Sequence, residues 1–223
     1  GAWLHVDASY GGGVLFSEER RALMHGSGQA DSLSLNPHKL LGVPISCSVL
    51  LMRERGRLRA AHGMQADYLF HGDPEQTCDR GDLSLQCGRR ADALKLWMAW
   101  QAHGDAGFGQ RVDRLFALAT AMRDRVRARA AFELVREPQG CNICFRMLPH
   151  SLRRAPASEN RSAQLEVATL ALRERLIREG RHMVNYAPVD GAVAFRWVAN
   201  NPEVRASDLD RLLDDLERLG ADL

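Results

Sequence analysis

The stretch DSLSLNPHK (residues 31–39) determines how the first half of this 223-residue chain is expected to fold. Residues 31–35 carry scattered apolar side chains and are typical of a short strand. A second apolar run, CSVLLM (residues 47–52), predicts another strand. We therefore expect Asn36-Pro37-His38-Lys39 to form a turn between two buried strands, in which Lys39 has few routes to water.

This environment favours a particular chemistry for Lys39. Desolvation disfavours the ammonium form of a lysine, and a neutral amine is a nucleophile that can form a Schiff base with an aldehyde. The aldehyde cofactor that uses such a lysine is pyridoxal phosphate, whose ring nitrogen also needs an acidic partner. Asp7 lies at the end of the strand-like run WLHVD (residues 3–7) and is placed to be that partner.

The charge balance limits the classes of partner. The chain has 30 basic and 28 acidic residues, a formal net charge of +2, which gives no case for nucleic acid or an anionic membrane. No apolar run approaches the roughly 18 residues that span a bilayer, and no basic-then-apolar leader is visible. We therefore expect a cytoplasmic protein without a membrane partner. A strand-like run so close to Gly1, without an initiator Met, suggests a truncated piece of a larger protein.

The five cysteines are an odd number in a chain that is not small, so a disulfide framework is not expected. Cys141 and Cys144 form a Cys-x-x-Cys pair within a run that alternates like a strand, where positions three apart point to opposite faces. No second pair with zinc spacing occurs in the sequence. We expect ordinary buried thiols and no metal site.

The first half otherwise predicts an α/β unit with a largely parallel sheet. Residues 3–7 are typical of a buried strand, and the run Gly11–Gly13 allows a tight turn with positive φ. Residues 17–24 are typical of a short helix capped by Ser17. Residues 63–81 are rich in turn formers and predict a long exposed loop of the kind that forms lids.

The pattern changes to longer helices in the second half. Residues 90–103 have helical spacing, and we expect Trp97 and Trp100 to pack in the core. Residues 104–109 are a plausible domain boundary. After it the pattern predicts a long helix, a strand pair, a helix, a strand pair and a last helix capped by Ser207. We expect an α+β layer, a small sheet covered by helices.

Two motifs carry a resemblance to a known family. WLHVDA (residues 3–8) and NPHKLLGV (residues 36–43) resemble the cofactor motifs of the group II pyridoxal-phosphate-dependent decarboxylases, which include glutamate, cysteine sulfinate and aromatic amino acid decarboxylases. Further segments are similar to the glutamate and cysteine sulfinate branch and extend the resemblance over nearly the whole chain: residues 68–70, 86–97, 195–196, 201–202 and 214–220.

The resemblance implies a domain organisation. Residues 1–103 match the C-terminal part of the large cofactor-binding domain of a fold-type I enzyme, and residues 104–223 match its small C-terminal domain. The N-terminal half of the family, with its ring-stacking histidine and phosphate ligands, is absent from the printed sequence. We therefore expect this chain to be inactive by itself. Family members are homodimers, so a homodimer is implied as well.

The resemblance also implies the role of each cofactor residue. Lys39 matches the Schiff-base lysine, and Asp7 matches the carboxylate that keeps the pyridine nitrogen protonated. Ala8 is small enough to lie beside the ring. Asn36 and His38 belong to the cofactor motif, and His38 is expected to donate to the phosphate. The alternative for His38 is a histidine that only shapes the turn.

The expected reaction is decarboxylation of an acidic amino acid to the amine and carbon dioxide. Arg196 matches the arginine that holds the substrate carboxylate, with a structural ion pair as its alternative role. Glutamate, aspartate, cysteine sulfinate and 2,4-diaminobutyrate all remain open as substrates. Tyr68 and His71 are candidate proton donors. Rival functions are an aminotransferase, a desulfurase, and a catalytically silent piece used for dimerisation.

Overall fold

The computed structural model describes residues 1–63, 81–86, 88–153, 156 and 158–223. The predicted lid loop, with Tyr68 and His71, therefore lies outside the described residues, as do Cys78 and Cys87. The chain divides into two compact units, Gly1–Gly109 and Gln110–Leu223. No helix within the described ranges is long and apolar enough to cross a membrane.

The first unit is built on a mixed three-stranded sheet. Its strands are β1 (His5–Ala8), β2 (Ser32–Leu35) and β3 (Val49–Met52), in the order β1-β2-β3. The β1–β2 pair is parallel, as the α/β prediction required, whereas β3 runs antiparallel to β2. The three strands expected from the sequence are thus all present, with bounds that differ by at most two residues.

The glycine run between β1 and β2 does not form the predicted turn. Gly11–Phe16 is a 3-10 helix, and none of its glycines has a positive φ. These glycines instead allow close packing. A Cβ on Gly12 would lie 2.6 Å from Leu35 Cδ1, and one on Gly13 would lie 2.9 Å from Leu40 Cβ. The prediction of positive φ was wrong because the run is needed for close approach to β2 and the turn that follows it.

The helix expected over residues 17–24 is only a single turn. The observed element is a 3-10 turn at Arg21–Met24, and Ser17 Oγ accepts the N–H of Arg20 at 3.1 Å. The α-helices that follow are α1 (Arg57–His62) in this unit and α2 (Asp92–Ala128), which begins in this unit and continues into the second. Gly104 interrupts α2 with φ 61° and ψ −177°, at the start of the predicted boundary.

The prediction that both tryptophans of α2 lie in the core was wrong, because Trp100 is 40% exposed despite its aromatic neighbours and Trp97 is more exposed still. Trp100 packs edge-on against Phe16 and Phe108, with ring centroids 5.2 and 5.8 Å apart. Trp97 is 59% exposed, together with its helical neighbours Leu94 and Met98. Trp3 in the expected buried run before β1 is also half exposed. Apolar spacing identifies a face that prefers burial, but it does not specify the element that covers the face.

The second unit has the predicted order of helices and strand pairs. Its antiparallel sheet has the order β4-β5-β7-β6. After the C-terminal part of α2, the elements are β4 (Phe132–Leu134), β5 (Asn142–Met147), α3 (Glu159–Arg178), β6 (Asn185–Val189), β7 (Ala192–Val198) and α4 (Ala206–Leu219). The predicted cap of the last helix was wrong, because Arg205 occupies the N-cap and Ser207 lies inside α4.

One face of this sheet forms the core of the second unit. Ile143, Phe145 and Met147 alternate along β5 and are buried, while the residues between them are half-buried on the opposite face. The ring of Phe145 lies between those of Phe132 and Phe195, at centroid distances of 5.8 and 5.5 Å.

Phe145→Ala is expected to lower the free energy of unfolding by about 3–5 kcal/mol, because it removes a fully buried ring and leaves a cavity. Urea unfolding followed by circular dichroism measures the change. Phe145→Leu, which keeps most of the volume, is the control and should cost less than about 1.5 kcal/mol. Equal losses for the two variants would contradict a close-packed role for this ring.

Candidate active site

Asp7 lies at the carboxyl end of the parallel strand pair. The register of β1 and β2 pairs Asp7 with Ser34 and Ala8 with Leu35. In open α/β sheets, ligands bind outside the carboxyl ends of parallel strands. The parallel pairing therefore places the Asp7 carboxylate on the edge of the sheet where a ligand site is expected.

Two hydrogen bonds hold the Asp7 carboxylate. The Ser9 N–H and the Ser34 hydroxyl both donate to Oδ1, at 3.0 and 3.1 Å, and the hydroxyls of Ser9 and Ser34 lie 3.1 Å apart. These bonds from Ser9 and Ser34 lower the pKa of Asp7 to about 2. The carboxylate is therefore an anion at any physiological pH, as a partner of a protonated ring nitrogen must be.

The turn that carries Lys39 follows β2 directly. The N–H of Lys39 donates to Asn36 O at 2.9 Å, and the N–H of Gly42 donates to Lys39 O at 3.1 Å. Val43 N–H closes the turn on Pro37 O at 3.1 Å. The Asn36–Lys39 segment is thus a compact turn at the carboxyl end of β2, which is the same edge that carries Asp7.

Lys39 differs from the other lysine of the chain, Lys95. Lys95 Nζ lies 2.7 Å from an Asp92 carboxylate oxygen and donates to Ser46 O at 2.6 Å. Lys39 Nζ forms no hydrogen bond or ion pair with any residue that the structure describes, and its side chain is half-buried rather than buried as expected. Within the described chain, the Lys95 amine is therefore held by an ion pair and a hydrogen bond, whereas the Lys39 amine is not.

The other residues of the two cofactor motifs pack around this turn. Ala8 is buried and Asn36 is half-buried. His38 Nδ1 lies 2.5 Å from Cys47 O and 3.1 Å from Cys47 N, which ties the turn to the residues before β3. This contact fits the turn-shaping role of His38, and its expected hydrogen bond to a phosphate stays a prediction.

Arg196 belongs to the second unit, where it lies on β7. Its direct cross-strand neighbours are Cys144 on β5 and Asn185 on β6. The side chain is exposed, and no carboxylate in the described part of the chain forms an ion pair with it. The structural ion pair that was the alternative role of Arg196 is thus not found among these residues, and its guanidinium is available for an anionic ligand.

The Cys-x-x-Cys pair gives no sign of a metal site. Cys141 is fully buried before β5, and Cys144 is half-buried on β5, where burial raises the pKa of its thiol. Across the described ranges, no group of three or more His, Cys, Asp or Glu side chains could hold a metal ion.

The residues at the edge of the β1–β2 pair fit pyridoxal phosphate. The cofactor needs an amine for its aldehyde and an anion for its ring nitrogen, and Lys39 and Asp7 are residues of the right chemistry for these two roles. Sequence analysis missed Ser9 and Ser34, which keep Asp7 ionised. The alternating pattern of β2 could have identified Ser34. In that pattern Ser34 lies on the same face as Ser32, in a strand parallel to β1.

The chain is similar to known proteins over its whole length. The profile of the family described as "Pyridoxal-dependent decarboxylase conserved domain" matches residues 1–148. The whole chain is 45% identical to rat cysteine sulfinic acid decarboxylase and 41% identical to mouse acidic amino acid decarboxylase GADL1. The chain spans 46% of the length of the first of these relatives and 41% of the second.

Solved structures show the same architecture. The apo crystal structure of mouse CSAD matches 99% of this chain, and 46% of its own length, with a TM-score of 0.91 and 43% identity. The structure of Oryza sativa TDC with PLP and tryptamine matches 98% of this chain and 44% of its own length, with a TM-score of 0.85 and 28% identity. Family profile, relatives and architecture agree with the predicted α/β class, and the chain belongs to the pyridoxal-dependent decarboxylase family.

Proposed function

We propose that the complete protein removes carbon dioxide from an acidic amino acid with the help of pyridoxal phosphate. Its relatives over the full length of this chain are named cysteine sulfinic acid decarboxylase and acidic amino acid decarboxylase. Glutamate, aspartate and cysteine sulfinate are therefore the first candidate substrates. Because the chain spans less than half of these relatives, the proposal concerns the protein that contains it.

One observation carries the proposal. The parallel register of β1 and β2 brings an ionised carboxylate, Asp7, to the sheet edge where β2 runs into the Lys39 turn. This cofactor requires an anion at its ring nitrogen and an amine at its aldehyde. Asp7, with a pKa of about 2, is such an anion, and Lys39 Nζ is an amine without another partner in the described chain.

The residues of this edge have separate roles in the proposed reaction. Bound pyridoxal phosphate supplies an electron sink for the charge that carbon dioxide leaves behind on the α-carbon. Asp7 keeps a proton on the ring nitrogen, and its own hydrogen bonds from Ser9 and Ser34 keep it anionic. Lys39 Nζ is the point of covalent attachment, and the buried methyl of Ala8 leaves space beside the ring.

Arg196 is proposed to bind the carboxylate of the substrate. A guanidinium can grip a carboxylate with two parallel hydrogen bonds, which fixes its orientation. Orientation matters because the bond that breaks must stand perpendicular to the cofactor ring. A grip that is too strong would stabilise the bound substrate rather than the transition state, so an exposed arginine is well suited.

The domain roles and the oligomeric state are proposed from the family resemblance. We propose that residues 1–103 belong to the large cofactor-binding domain and residues 104–223 to the small domain. We further propose that the complete protein is a homodimer. Analytical ultracentrifugation of that protein should give twice the chain mass, and a monomer at micromolar concentration would contradict the proposed assembly.

The function is tested by incubating the complete, cofactor-loaded protein with each candidate amino acid. We expect carbon dioxide and the corresponding amine in equal amounts, without a keto acid. Keto acid formation would instead indicate an aminotransferase, and release of the substrate's sulfur would indicate a desulfurase. Either outcome, or no product from any acidic amino acid, would contradict the proposal.

Arg196→Lys is expected to lower kcat/KM about 100-fold, mainly through KM, because a lysine replaces a two-point grip with a single point charge. Steady-state kinetics on the substrate identified above measures the effect. Arg178→Lys is the matched control, since Arg178 is an exposed arginine of α3 paired with Glu174. A similar kcat/KM for both variants would remove Arg196 from the proposed site.

A further inference from the structure

Arg196 stands in the middle of a row of three side chains on one face of the second sheet. The register pairs it with Cys144 of β5 on one side and with Asn185 of β6 on the other. Directly opposed residues in antiparallel strands project to the same face, with Cβ atoms about 4.5–5.5 Å apart. A ligand that binds to the Arg196 guanidinium therefore approaches the same face of the sheet as both neighbours.

The two neighbours differ in what they offer an anion. Burial raises the pKa of the Cys144 thiol, so it stays neutral, and its Sγ lies 3.9 Å from Asn142 Oδ1 as a donor. Asn185 is exposed and carries a side-chain amide with two N–H donors. Of the two residues flanking Arg196, Asn185 is the one that brings further donors.

The backbone fixes how the Asn185 amide is turned. Its Oδ1 accepts the N–H of Tyr186 at 2.9 Å, which leaves the two N–H donors of the amide nitrogen for another acceptor. Tyr186 projects to the other side of β6, where the Arg173 guanidinium lies 5.4 Å from its ring centroid. The Asn185 side chain thus has one end tied to the backbone, and the strand register places it on the same face as Arg196.

We propose that Asn185 is a further substrate-binding residue, which donates a hydrogen bond to the carboxylate that Arg196 binds. A carboxylate has about four lone-pair sites, and a two-point grip by an arginine uses only two of them. The inference rests on the proposed function, because it assigns a second ligand to the anion site of that reaction. It predicts selection for a planar, two-oxygen anion over a neutral amide at this position.

Binding of succinate, an unreactive dicarboxylate, to the complete protein provides a test that does not require turnover. Asn185→Ala should weaken succinate binding about ten-fold in calorimetry, the worth of one hydrogen bond to a charged group. Asn185→Asp keeps an acceptor for the Tyr186 N–H and so preserves the strand. It should weaken binding more, about 100-fold, because its charge competes for Arg196.

Asn201→Ala is the matched control, since Asn201 is also exposed and its Oδ1 also accepts a backbone N–H, that of Glu203 at 3.0 Å. We expect succinate affinity within about twofold of the unaltered protein for this variant. KM for the active amino acid should rise in the same order as the succinate dissociation constants, with kcat changed less.

The outcomes separate the inference from the proposed function. Unchanged succinate affinity in both Asn185 variants would overturn the role of Asn185, even if the unaltered protein is an active decarboxylase. Absence of any decarboxylation would overturn the proposed function alone, because the succinate comparison still decides whether Asn185 binds an anion beside Arg196. If Asn201→Ala lost as much succinate affinity as Asn185→Ala, the effect would be a general one on the protein, and this result would also overturn the inference.

Discussion

Lys39→Ala is expected to abolish covalent attachment of pyridoxal phosphate and to lower the decarboxylation rate of the complete protein by at least about a thousand-fold. The variant lacks the amine that holds the cofactor aldehyde, while the turn itself is closed by backbone hydrogen bonds and should persist. Two measurements follow the loss: the visible absorbance of the cofactor-loaded protein, and borohydride reduction followed by peptide mapping.

Lys95→Ala is the control, because it removes the other lysine that this chain contains. Lys95 is tied to Asp92 and to the carbonyl of Ser46, so we expect its loss to leave the absorbance and the label unchanged. In the unaltered protein the reduced label should map to the peptide that contains Lys39. A label on Lys95, or on any other residue of this chain, would contradict the assigned attachment point.

Much of the first unit could be predicted from the local pattern. The apolar runs around residues 31–35 and 47–52 gave two strands, and the tetrapeptide between them gave the turn that bears Lys39. Local pattern works here because strand alternation and turn chemistry are properties of neighbouring residues. The pairing of Asp7 with Ser34 is a property of two distant segments, and no local pattern specifies it.

The structural predictions that were wrong share one physical cause. Gly12 and Gly13 were predicted from their intrinsic freedom of φ, but the structure uses their small size, since a Cβ would meet Leu35 and Leu40. Trp97 was predicted to be buried from its helical spacing, yet it is 59% exposed. In each case the outcome depends on which distant surface approaches the residue, and this is information that local propensity does not contain.

In the candidate site, too, the sequence motif identifies a residue but does not identify its spatial neighbours. Arg196 was identified from a motif, but Cys144 and Asn185 are 52 and 11 positions away in the sequence and become its neighbours only through strand register. A residue that binds substrate beside a motif arginine is therefore hard to find from sequence. Knowledge of the strand pairing reduces the search to the two residues directly opposite.

Asp7→Asn is expected to lower kcat of the complete protein by about a thousand-fold, because the amide cannot keep the ring nitrogen protonated and the electron sink is weakened. Cofactor attachment through Lys39 should persist. Asp31→Asn is the matched control at the opposite end of the same strand pair, where Asp31 Oδ2 accepts the N–H of Leu4 at 2.8 Å. Comparable losses of kcat in the two variants would contradict a role specific to Asp7.

The pH profile separates an electronic role of Asp7 from a structural one. Since the folded-state pKa is lowered to about 2 from an ordinary 3.8, any stability that ionised Asp7 contributes is complete above about pH 4 and is lost as the pH falls through about 2. The unaltered protein should therefore show no loss of kcat from Asp7 above pH 4. In Asp7→Asn the ring nitrogen can take its proton only from solvent, so the residual kcat should rise as the pH is lowered. A residual rate that is flat or falls on acidification would contradict the assignment of Asp7 to the ring nitrogen.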